Sequence, residues 1–253
     1  MSQPEIPKII HQVWVDDNIP PEYRPYCESW RRLNMGWEYR LWTDVEADRF
    51  VSRNFPDILP IYRGYPRDIY RADAVRYMIL HKLGGLYVDL DFQCLIPISP
   101  LLAGHQAVVG VWGKSPTSSE RPQVFPFREV PNAFMASVRN HPLMRTAIDL
   151  LPEHKKAGGP VSATGPQLLK TALARVKGDM ARLGIRVYSK ELYPLEPSQM
   201  KTHKGPIEPG DLTAVAPEAY AVHWWYTTWR PRKGSRARHY ARSNWGRGLA
   251  RNP

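Results

Sequence analysis

The chain has 253 residues, a formal net charge of +11 and 43% hydrophobic residues, enough to bury the core of one large α/β domain or two small ones. Its two cysteines, Cys27 and Cys94, exclude a disulfide framework and favour a reducing compartment. No signal-peptide pattern and no apolar run of membrane-spanning length is present, so a soluble or at most peripheral protein is expected.

The positive charge is concentrated at the C-terminal end. Residues 230–253 contain eight cationic side chains and no acidic one, so the rest of the chain is nearly balanced in charge. We therefore expect a domain at 1–229 and a basic tail at 230–253. The tail is either a solvated end or a segment that docks on an anionic lipid or glycan. Because it has few aromatic residues to stack on bases, no nucleic-acid partner is expected.

Strand and helix patterns alternate along the chain. In chain order, the predicted elements are a strand at 8–14, a short helix at 29–33, a strand at 37–42, a helix from the Thr43–Asp44 cap to about 54, a helix at 66–83, strands at 86–88 and 107–112, and helices at 142–150 and 166–176. Segments 113–130 and 193–217 contain several prolines and no periodicity, which predicts loops. The alternation predicts an α/β sandwich with a mostly parallel sheet, whose ligands bind beyond the carboxyl ends of the strands.

Two carboxylates follow the predicted strand at 86–88. Asp89 and Asp91 are one residue apart, and residues i and i+2 of a strand point to the same side. The sequence therefore predicts a pair of carboxylates at a strand end. Such a hard-oxygen site suits Mg²⁺ or Mn²⁺ carrying the phosphates of a nucleotide.

A second charged pair lies on the helix before that strand. Asp73 and Arg76 are three residues apart and share a helical face. One interpretation is an ordinary surface ion pair. The other is a pair that grips sugar hydroxyls and phosphate beside the metal–nucleotide site, which the apolar neighbours Ala72, Val75 and Ile79 favour.

Several blocks together resemble glycosyltransferase family thirty-two. The strongest are residues 6–14 (IPKIIHQVW), 69–73 (IYRAD) and 84–91 (GGLYVDLD). Further similar blocks, in the family's order, are 132–137 (NAFMAS), 141–143 (HPL), 164–166 (TGP), 220–225 (YAVHWW) and 228–229 (TW). The family includes yeast initiating mannosyltransferases, glycolipid galactosyltransferases and bacterial capsule and lipopolysaccharide enzymes. The resemblance implies the GT-A fold, which is Rossmann-like, and a retaining sugar transfer.

The resemblance also implies roles for individual residues. Asp89 would hold ribose and sugar hydroxyls, and Asp91 would ligate a Mn²⁺ or Mg²⁺ ion on the diphosphate. Asp73 and Arg76 would hold the donor sugar and complete the catalytic set. His223 would be a second metal ligand, in a block where the family often has His and Ser at the positions of Trp224 and Thr228. The expected substrate-binding residues are His11, Trp14, Tyr87, Asn132 and Trp229.

Trp14 and Tyr87 each allow two interpretations. An indole at a strand end offers a flat face on which a nucleobase stacks, and Tyr87 shares the side of Asp89. Plain core packing is the alternative interpretation for each of them.

The expected function is hexose transfer from a UDP- or GDP-sugar to a glycan or glycolipid in bacterial surface polysaccharide synthesis. No carboxylate stands out as a covalent nucleophile, which favours front-face attack. The expected location is the cytoplasm, peripheral to the inner face of an anionic membrane. Two alternatives remain: an inactive nucleotide-sugar or carbohydrate-binding protein on the same fold, and a nucleic-acid binder that relies on the tail.

Overall fold

The computed structural model describes residues 4–112, 129–195, 206–207 and 216–226. The strands are β1 (Ile9–Val13), β2 (Glu38–Trp42), β3 (Gly85–Val88), β4 (Phe92–Cys94), β5 (Ala107–Gly110), β6 (Phe134–Ser137), β7 (Ile185–Tyr188) and β8 (Ala221–His223). The helices are α1 (Arg24–Leu33), α2 (Asp44–Asn54), α3 (Leu59–Arg63), α4 (Asp68–Leu83), α5 (Ser99–Leu102), α6 (Pro142–His154), α7 (Pro160–Ala163) and α8 (Pro166–Arg175). A short 3₁₀ turn, Lys177–Asp179, follows α8.

Six strands form one mixed sheet in the order β2-β1-β3-β6-β5-β7. Strands β1, β2 and β3 are parallel, β5 and β7 are parallel, and β6 runs antiparallel to both of its neighbours. This confirms the predicted α/β class with mostly parallel strands. Because β6 is reversed, the residues just before it lie at the same edge as the residues just after β3.

The sheet separates two layers of core. Tyr87, Val109 and Met135 face α4, α6 and α8 on one side. Leu86 and Val108 face the opposite layer with Trp30 of α1. The strands alternate between the layers, as the two-residue period of a strand requires.

Helix α4 matches the predicted helix within two residues at its start and ends at the same residue. It is buried from Tyr70 to Leu80, including the charged side chains of Arg71, Asp73 and Arg76. The two glycines after it have positive φ, +66° at Gly84 and +103° at Gly85. A Cβ at Gly85 would approach the carbonyl oxygen of Ile9 to 2.6 Å, so only glycine fits between α4 and β3.

Helix α2 begins and ends as predicted. Thr43 caps it, since its hydroxyl accepts from the Glu46 amide at 3.3 Å while the Glu46 carboxylate accepts from the Thr43 amide at 2.9 Å. In the described part of the chain, no helix combines the length and apolar character that crossing a membrane requires.

Four short strands were not predicted: β4, β6, β7 and β8. Strand β4 pairs antiparallel with β8, placing Phe92 opposite His223. This two-stranded ladder brings the C-terminal part of the described chain to the end of β3.

Candidate active site

A cavity of about 290 Å³ opens at the edge where β1 and β3 end. Its walls carry all four residues of the predicted catalytic set: Asp73, Arg76, Asp89 and Asp91. The remaining lining is mainly aromatic and apolar, from Val13, Trp14, Tyr23, Ile69, Tyr87, Leu90, Pro131, Asn132, Ala133, Pro160, Val161, Pro166, His223, Trp225 and Tyr226.

Asp89 and Asp91 converge through a turn. Strand β3 ends at Val88, and the amide of Phe92 donates to the Asp89 carbonyl at 3.1 Å. The two carboxylates reach the same cavity, as expected, but a turn brings them together and strand alternation does not. Within that cavity Asp89 faces Arg76 of α4, while Asp91 faces His223 of β8.

Asp91 is held by the C-terminal segment. Its Oδ1 lies 3.2 Å from Nε2 of His223, and its Oδ2 accepts from the Tyr226 amide at 2.7 Å. Trp225, between them, has φ +56°, which is uncommon for a bulky residue.

The residues present fit a divalent cation. Ligand atoms of Asp89, Asp91 and His223 all lie within 4.8 Å of one another. The two carboxylates are hard oxygen donors and the imidazole is a borderline nitrogen donor, a mixed set that suits Mn²⁺ better than Mg²⁺. Nδ1 of His223 is buried and has no hydrogen-bond partner among the described residues. A histidine that ligates a metal through one ring nitrogen usually donates a hydrogen bond from the other. If Nε2 of His223 ligates the cation, the acceptor for Nδ1 would have to come from outside the described protein atoms.

Arg76 joins the two halves of the site. Its guanidinium lies 3.0 Å from Asp73 and 3.1 Å from Asp89, and it donates to the Asn132 carbonyl at 2.8 Å. Only 4% of its side chain is exposed, so the interpretation as a surface ion pair is wrong. Burial alone would lower the pKa of Arg76, but Asp89, Tyr87 and Asp73 raise it, and the side chain stays charged.

Asp73 is fixed from three sides. Besides Arg76, it accepts from Nδ2 of Asn132 at 3.0 Å and from the Thr164 hydroxyl at 3.4 Å. Burial raises the pKa of Asp73 to about 6, while Arg76 and Asn132 act in the opposite direction. A Cβ at Gly165 would lie 3.1 Å from Oδ2 of Asp73. The chain just before α8 therefore packs directly on the Asp73 carboxylate.

Trp14, Tyr87 and Asn132 all line the cavity, as expected of substrate-binding residues. They are also buried, so each of them packs in the core and borders the cavity. Trp14 packs edge-on against Tyr23, with ring centroids 5.6 Å apart. The Tyr87 hydroxyl donates to Asp89 at 2.6 Å, and its ring lies 4.5 Å from the Arg76 guanidinium. Tyr87 therefore orients two charged groups of the site.

The structure places His11, an expected substrate-binding residue, away from the described cavity. Its ring is fully buried in β1, outside the cavity lining, and both nitrogens have partners. Nδ1 accepts from the Trp42 indole at 3.1 Å, which leaves Nε2 to donate to the Gly84 carbonyl at 3.0 Å. Burial lowers the pKa of His11 to about 4, so the ring is neutral. The predicted Trp229 lies outside the described residues.

Sequence reasoning did not single out Gln12 or Tyr226. Gln12 is fully buried. Its Nε2 donates to the Asp89 carbonyl at 3.2 Å, and its Oε1 accepts from the Tyr39 hydroxyl at 2.5 Å. The available signal was a glutamine beside His11 in the mainly apolar strand Ile9–Val13, since a buried amide needs partners. Tyr226 acts through its backbone, which leaves no signal in side-chain identity.

Comparison with known proteins agrees with this geometry. Residues 20–108 match the family model described as a glycosyltransferase sugar-binding region containing DXD motif. Inositol phosphoceramide mannosyltransferase 1 of Schizosaccharomyces pombe is 41% identical over 102 residues, 39% of this chain and 32% of that protein. The chain thus spans about a third of that relative. An uncharacterized glycosyltransferase of Acanthamoeba polyphaga mimivirus is 25% identical over 230 residues, 89% of this chain and 84% of the viral protein.

The fold has a counterpart among solved structures. The PaToxG glycosyltransferase superposes with a TM-score of 0.50 at 15% identity, over 71% of this chain and 73% of that one. At this identity the likeness shows the fold alone. It confirms the predicted GT-A-like α/β architecture, and the family match confirms the resemblance noted from the sequence.

Proposed function

We propose that this chain is a metal-dependent glycosyltransferase that moves a hexose from a nucleotide-diphosphate sugar to a glycan or glycolipid acceptor. One observation carries the proposal: Asp89, Asp91 and His223 converge in a cavity beside the buried Asp73–Arg76 pair. The family match over the segment containing both aspartates and the helix pair supports it.

In the proposed reaction, the metal ligands, Asp73 and Arg76 each have a separate role. When bound, a divalent cation held by Asp89, Asp91 and His223 supplies positive charge to the donor's diphosphate. Asp73 accepts hydrogen bonds from donor-sugar hydroxyls. Arg76 fixes the orientation of both Asp73 and Asp89, which preorganises the site before substrate arrives.

Retention of configuration is what the family resemblance implies, and the engagement of every carboxylate in the described lining argues against a covalent carboxylate intermediate. Asp73 is bound by Arg76 and Asn132, and Asp89 by Arg76 and Tyr87. Asp91 is bound by His223 and by the Tyr226 amide. A carboxylate so engaged is a poor nucleophile, so we favour attack by the acceptor from the face of the leaving group.

For the donor sugar and acceptor, the relatives suggest where to begin. The Schizosaccharomyces pombe relative is named an inositol phosphoceramide mannosyltransferase, which makes mannose the first sugar to test, on GDP or UDP. We propose a lipid-linked acceptor, either an inositol phospholipid or an intermediate of bacterial capsule or lipopolysaccharide synthesis.

We also propose that the enzyme works in the cytoplasm against the inner face of a membrane. The support is the run of eight cations in residues 230–253, each able to contribute roughly 1 kcal/mol near an anionic surface. Co-sedimentation with anionic and neutral vesicles tests this, with a chain ending at Trp229 as the comparison. Equal binding by both proteins, or binding insensitive to salt, would refute it.

The transferase proposal is tested by screening UDP- and GDP-hexoses for donor hydrolysis and transfer with Mn²⁺. We expect turnover of at least one donor and loss of that turnover in excess EDTA. Binding of a nucleotide sugar without turnover or transfer would favour the inactive binding protein instead. Failure to bind any nucleotide sugar or nucleoside diphosphate would exclude both.

A further inference from the structure

Two exposed hydrophobic side chains lie at the mouth of the cavity. In the described part of the chain, four large hydrophobic residues are strongly exposed: Met35, Val45, Val161 and Tyr226. Val161 and Tyr226, which are 41% and 40% exposed, line the cavity, whereas the other two do not. We refer to Val161 and Tyr226 as the rim pair. Single exposed hydrophobic residues are normal on a protein surface, but two beside one charged cavity indicate a binding surface.

Each member of the rim pair adjoins a different aspartate of the site. A Cβ at Gly165 would lie 3.1 Å from Cα of Val161 and 3.1 Å from Oδ2 of Asp73, so Val161 borders the carboxylate proposed to hold the donor sugar. The Tyr226 amide donates to Oδ2 of Asp91 at 2.7 Å, which places Tyr226 beside a proposed metal ligand. The rim pair therefore borders both the sugar end and the diphosphate end of a bound donor.

Other aromatic residues fix the orientation of the Tyr226 ring. It stacks on Trp224 with ring centroids 6.3 Å apart, and Trp224 stacks on Tyr26 at 5.1 Å. The Tyr23 ring packs against Tyr226 at 5.8 Å, and the Tyr226 hydroxyl lies 3.3 Å from that of Tyr26. Because the ring is already ordered, a ligand that packs on its exposed part loses little affinity to the ordering of the side chain.

The proposed reaction limits which part of an acceptor reaches the rim pair. The anomeric carbon joins the donor sugar to the diphosphate, so it lies between the groups assigned to Asp73 and Asp91. An acceptor hydroxyl that attacks this carbon enters through the cavity mouth, past the rim pair. In glycans and inositol lipids that hydroxyl is carried on or directly beside a six-membered ring, whereas an acyl chain lies farther away.

The chemistry of such a ring suits an exposed tyrosine. The C–H groups on the face of a sugar or inositol ring carry partial positive charge, and the face of an aromatic ring is negative. The hydroxyls around the edge of the ring stay in contact with water at an open mouth. Val161 adds an apolar contact that has no polar group to compete for those hydroxyls.

We propose that the rim pair binds the polyhydroxylated six-membered ring, of a sugar or of inositol, that carries the attacking hydroxyl of the acceptor. This inference rests on the proposed function and adds two acceptor-binding residues to it. Neither residue belongs to a block that resembles the family, since Val161 precedes the block at 164–166 and Tyr226 falls between those at 220–225 and 228–229. The Tyr226 amide orients Asp91 whatever the side chain is, so only the ring is assigned to the acceptor.

The test compares two reactions of the same enzyme molecules. With the UDP- or GDP-hexose that the wild type hydrolyses fastest, in MnCl₂, we would measure the ratio of transfer to donor hydrolysis. The probe acceptors are methyl glycosides of mannose, galactose and glucose, and myo-inositol. A disturbed metal site or partial unfolding lowers both reactions together, whereas a lost acceptor contact lowers transfer alone.

Tyr226→Leu removes the flat ring but keeps an apolar side chain and the backbone amide. We expect the ratio to fall about three- to tenfold, the value of an aromatic contact, with a higher acceptor KM. Tyr226→Phe keeps the ring and should keep the wild-type ratio. Val161→Ala should lower the ratio about threefold. Its matched control is Val45→Ala, because Val45 is 56% exposed and lies outside the cavity lining, so the ratio should not change.

Methyl and octyl glycosides of the same sugar separate a ring from a chain at the rim. A ring site predicts that Tyr226→Leu lowers transfer to both glycosides by the same factor. A loss confined to the octyl glycoside would assign the rim pair to an acyl chain and overturn the inference. Transfer to the glycosides or to myo-inositol tells which of the two ring types the site accepts.

The remaining outcomes are also decisive. An unchanged ratio in Tyr226→Leu or in Val161→Ala, or an equal fall in Tyr226→Phe, would overturn the inference. So would a wild type that hydrolyses a donor but transfers to none of the ring probes, although the proposed donor site would stand. If the wild type turns over no UDP- or GDP-hexose at all, the proposed function fails and this inference fails with it.

Discussion

The amide of Tyr226 donates to the Oδ2 atom of Asp91 at 2.7 Å, although 135 positions separate the two residues in the chain. The bond fixes one oxygen of Asp91, while the other faces His223. The orientation of the proposed metal ligand thus depends on the backbone of a distant segment.

Replacing Asp91 tests the metal site directly. Asp91→Asn removes an anionic ligand and turns an amide NH₂ toward His223 or the Tyr226 amide, so we expect at least about 100-fold less transfer and weaker Mn²⁺ binding. Transfer assays and Mn²⁺ titration measure this. Asp149→Asn, in an exposed pair with Arg145, is the control and should behave as wild type. Full activity of Asp91→Asn, or undiminished wild-type activity in excess EDTA, would refute metal dependence.

The buried Asp73–Arg76 pair should matter for stability as well as for activity. Arg76→Ala leaves Asp73 and Asp89 without their cation, which should lower the free energy of unfolding by about 3–5 kcal/mol. Urea unfolding measures the loss. Breaking the exposed Asp179–Arg182 pair with Asp179→Asn should leave the free energy of unfolding essentially unchanged. Similar small losses in both variants would mean that the network is not needed for folding.

Gly165 should be required for the donor site. A Cβ there would lie 3.1 Å from Oδ2 of Asp73 and 3.0 Å from the Pro160 carbonyl, so Gly165→Ala must shift one of them. We expect kcat/KM to fall by about tenfold or more, since small displacements of positioning groups are costly. Gly158→Ala is the matched control, because its Cβ meets nothing within 4 Å. Equal kinetics for the two variants would contradict this role.

Trp14 should contribute to nucleobase binding. Trp14→Leu keeps apolar volume but removes the flat ring, so the donor KM should rise by about tenfold with a smaller change in kcat, because stacking is present in ground and transition states alike. Trp42→Leu, buried but outside the cavity lining, should lower stability without raising KM. An unchanged KM in Trp14→Leu, with lower stability, would assign Trp14 to core packing alone.

His11 makes stability depend on pH. Its folded pKa of about 4 lies below the unfolded value of 6.5, so the unfolded chain takes up the proton first as pH falls. The stabilisation is complete above pH 6.5, declines as pH falls toward 4, and amounts to about 3 kcal/mol. Chemical denaturation at pH 7 and pH 4 should show a smaller difference for His11→Gln than for wild type. The same difference in both proteins would show that other groups dominate.

Local sequence patterns predicted helices α2 and α4 well. Each has its own signals, the Thr43–Glu46 capping box in one and the Gly84–Gly85 stop in the other. Asp89 and Asp91 were recognised as a pair, although the reason for their convergence was a turn rather than strand alternation. These features depend on neighbours within a few residues, which is the range that sequence reasoning covers.

Several features set by distant pairing were not predicted, although the family resemblance did imply that His223 joins Asp91. Strands β4 and β8 have three residues each, too short for a recognisable period, and their ladder joins Phe92 to His223. His11 lies in a family motif, but a motif does not reveal that Gly84 and Trp42 would occupy both of its nitrogens.

The β4–β8 ladder links cation binding to a local opening of the fold. In the described structure β8 pairs only with β4, so detaching those three residues would carry His223 and Tyr226 away from Asp91 while the six-stranded sheet stays intact. A cation that binds Asp91 and His223 together can bind only while β4 and β8 are paired. Cation binding therefore stabilises the paired form of the ladder by mass action. Slower amide exchange at Tyr226 and Trp224, whose N–H groups bond to Asp91, is the expected signature of that linkage. The cation would then hold residues 221–226 against β4, in addition to binding the diphosphate of the donor.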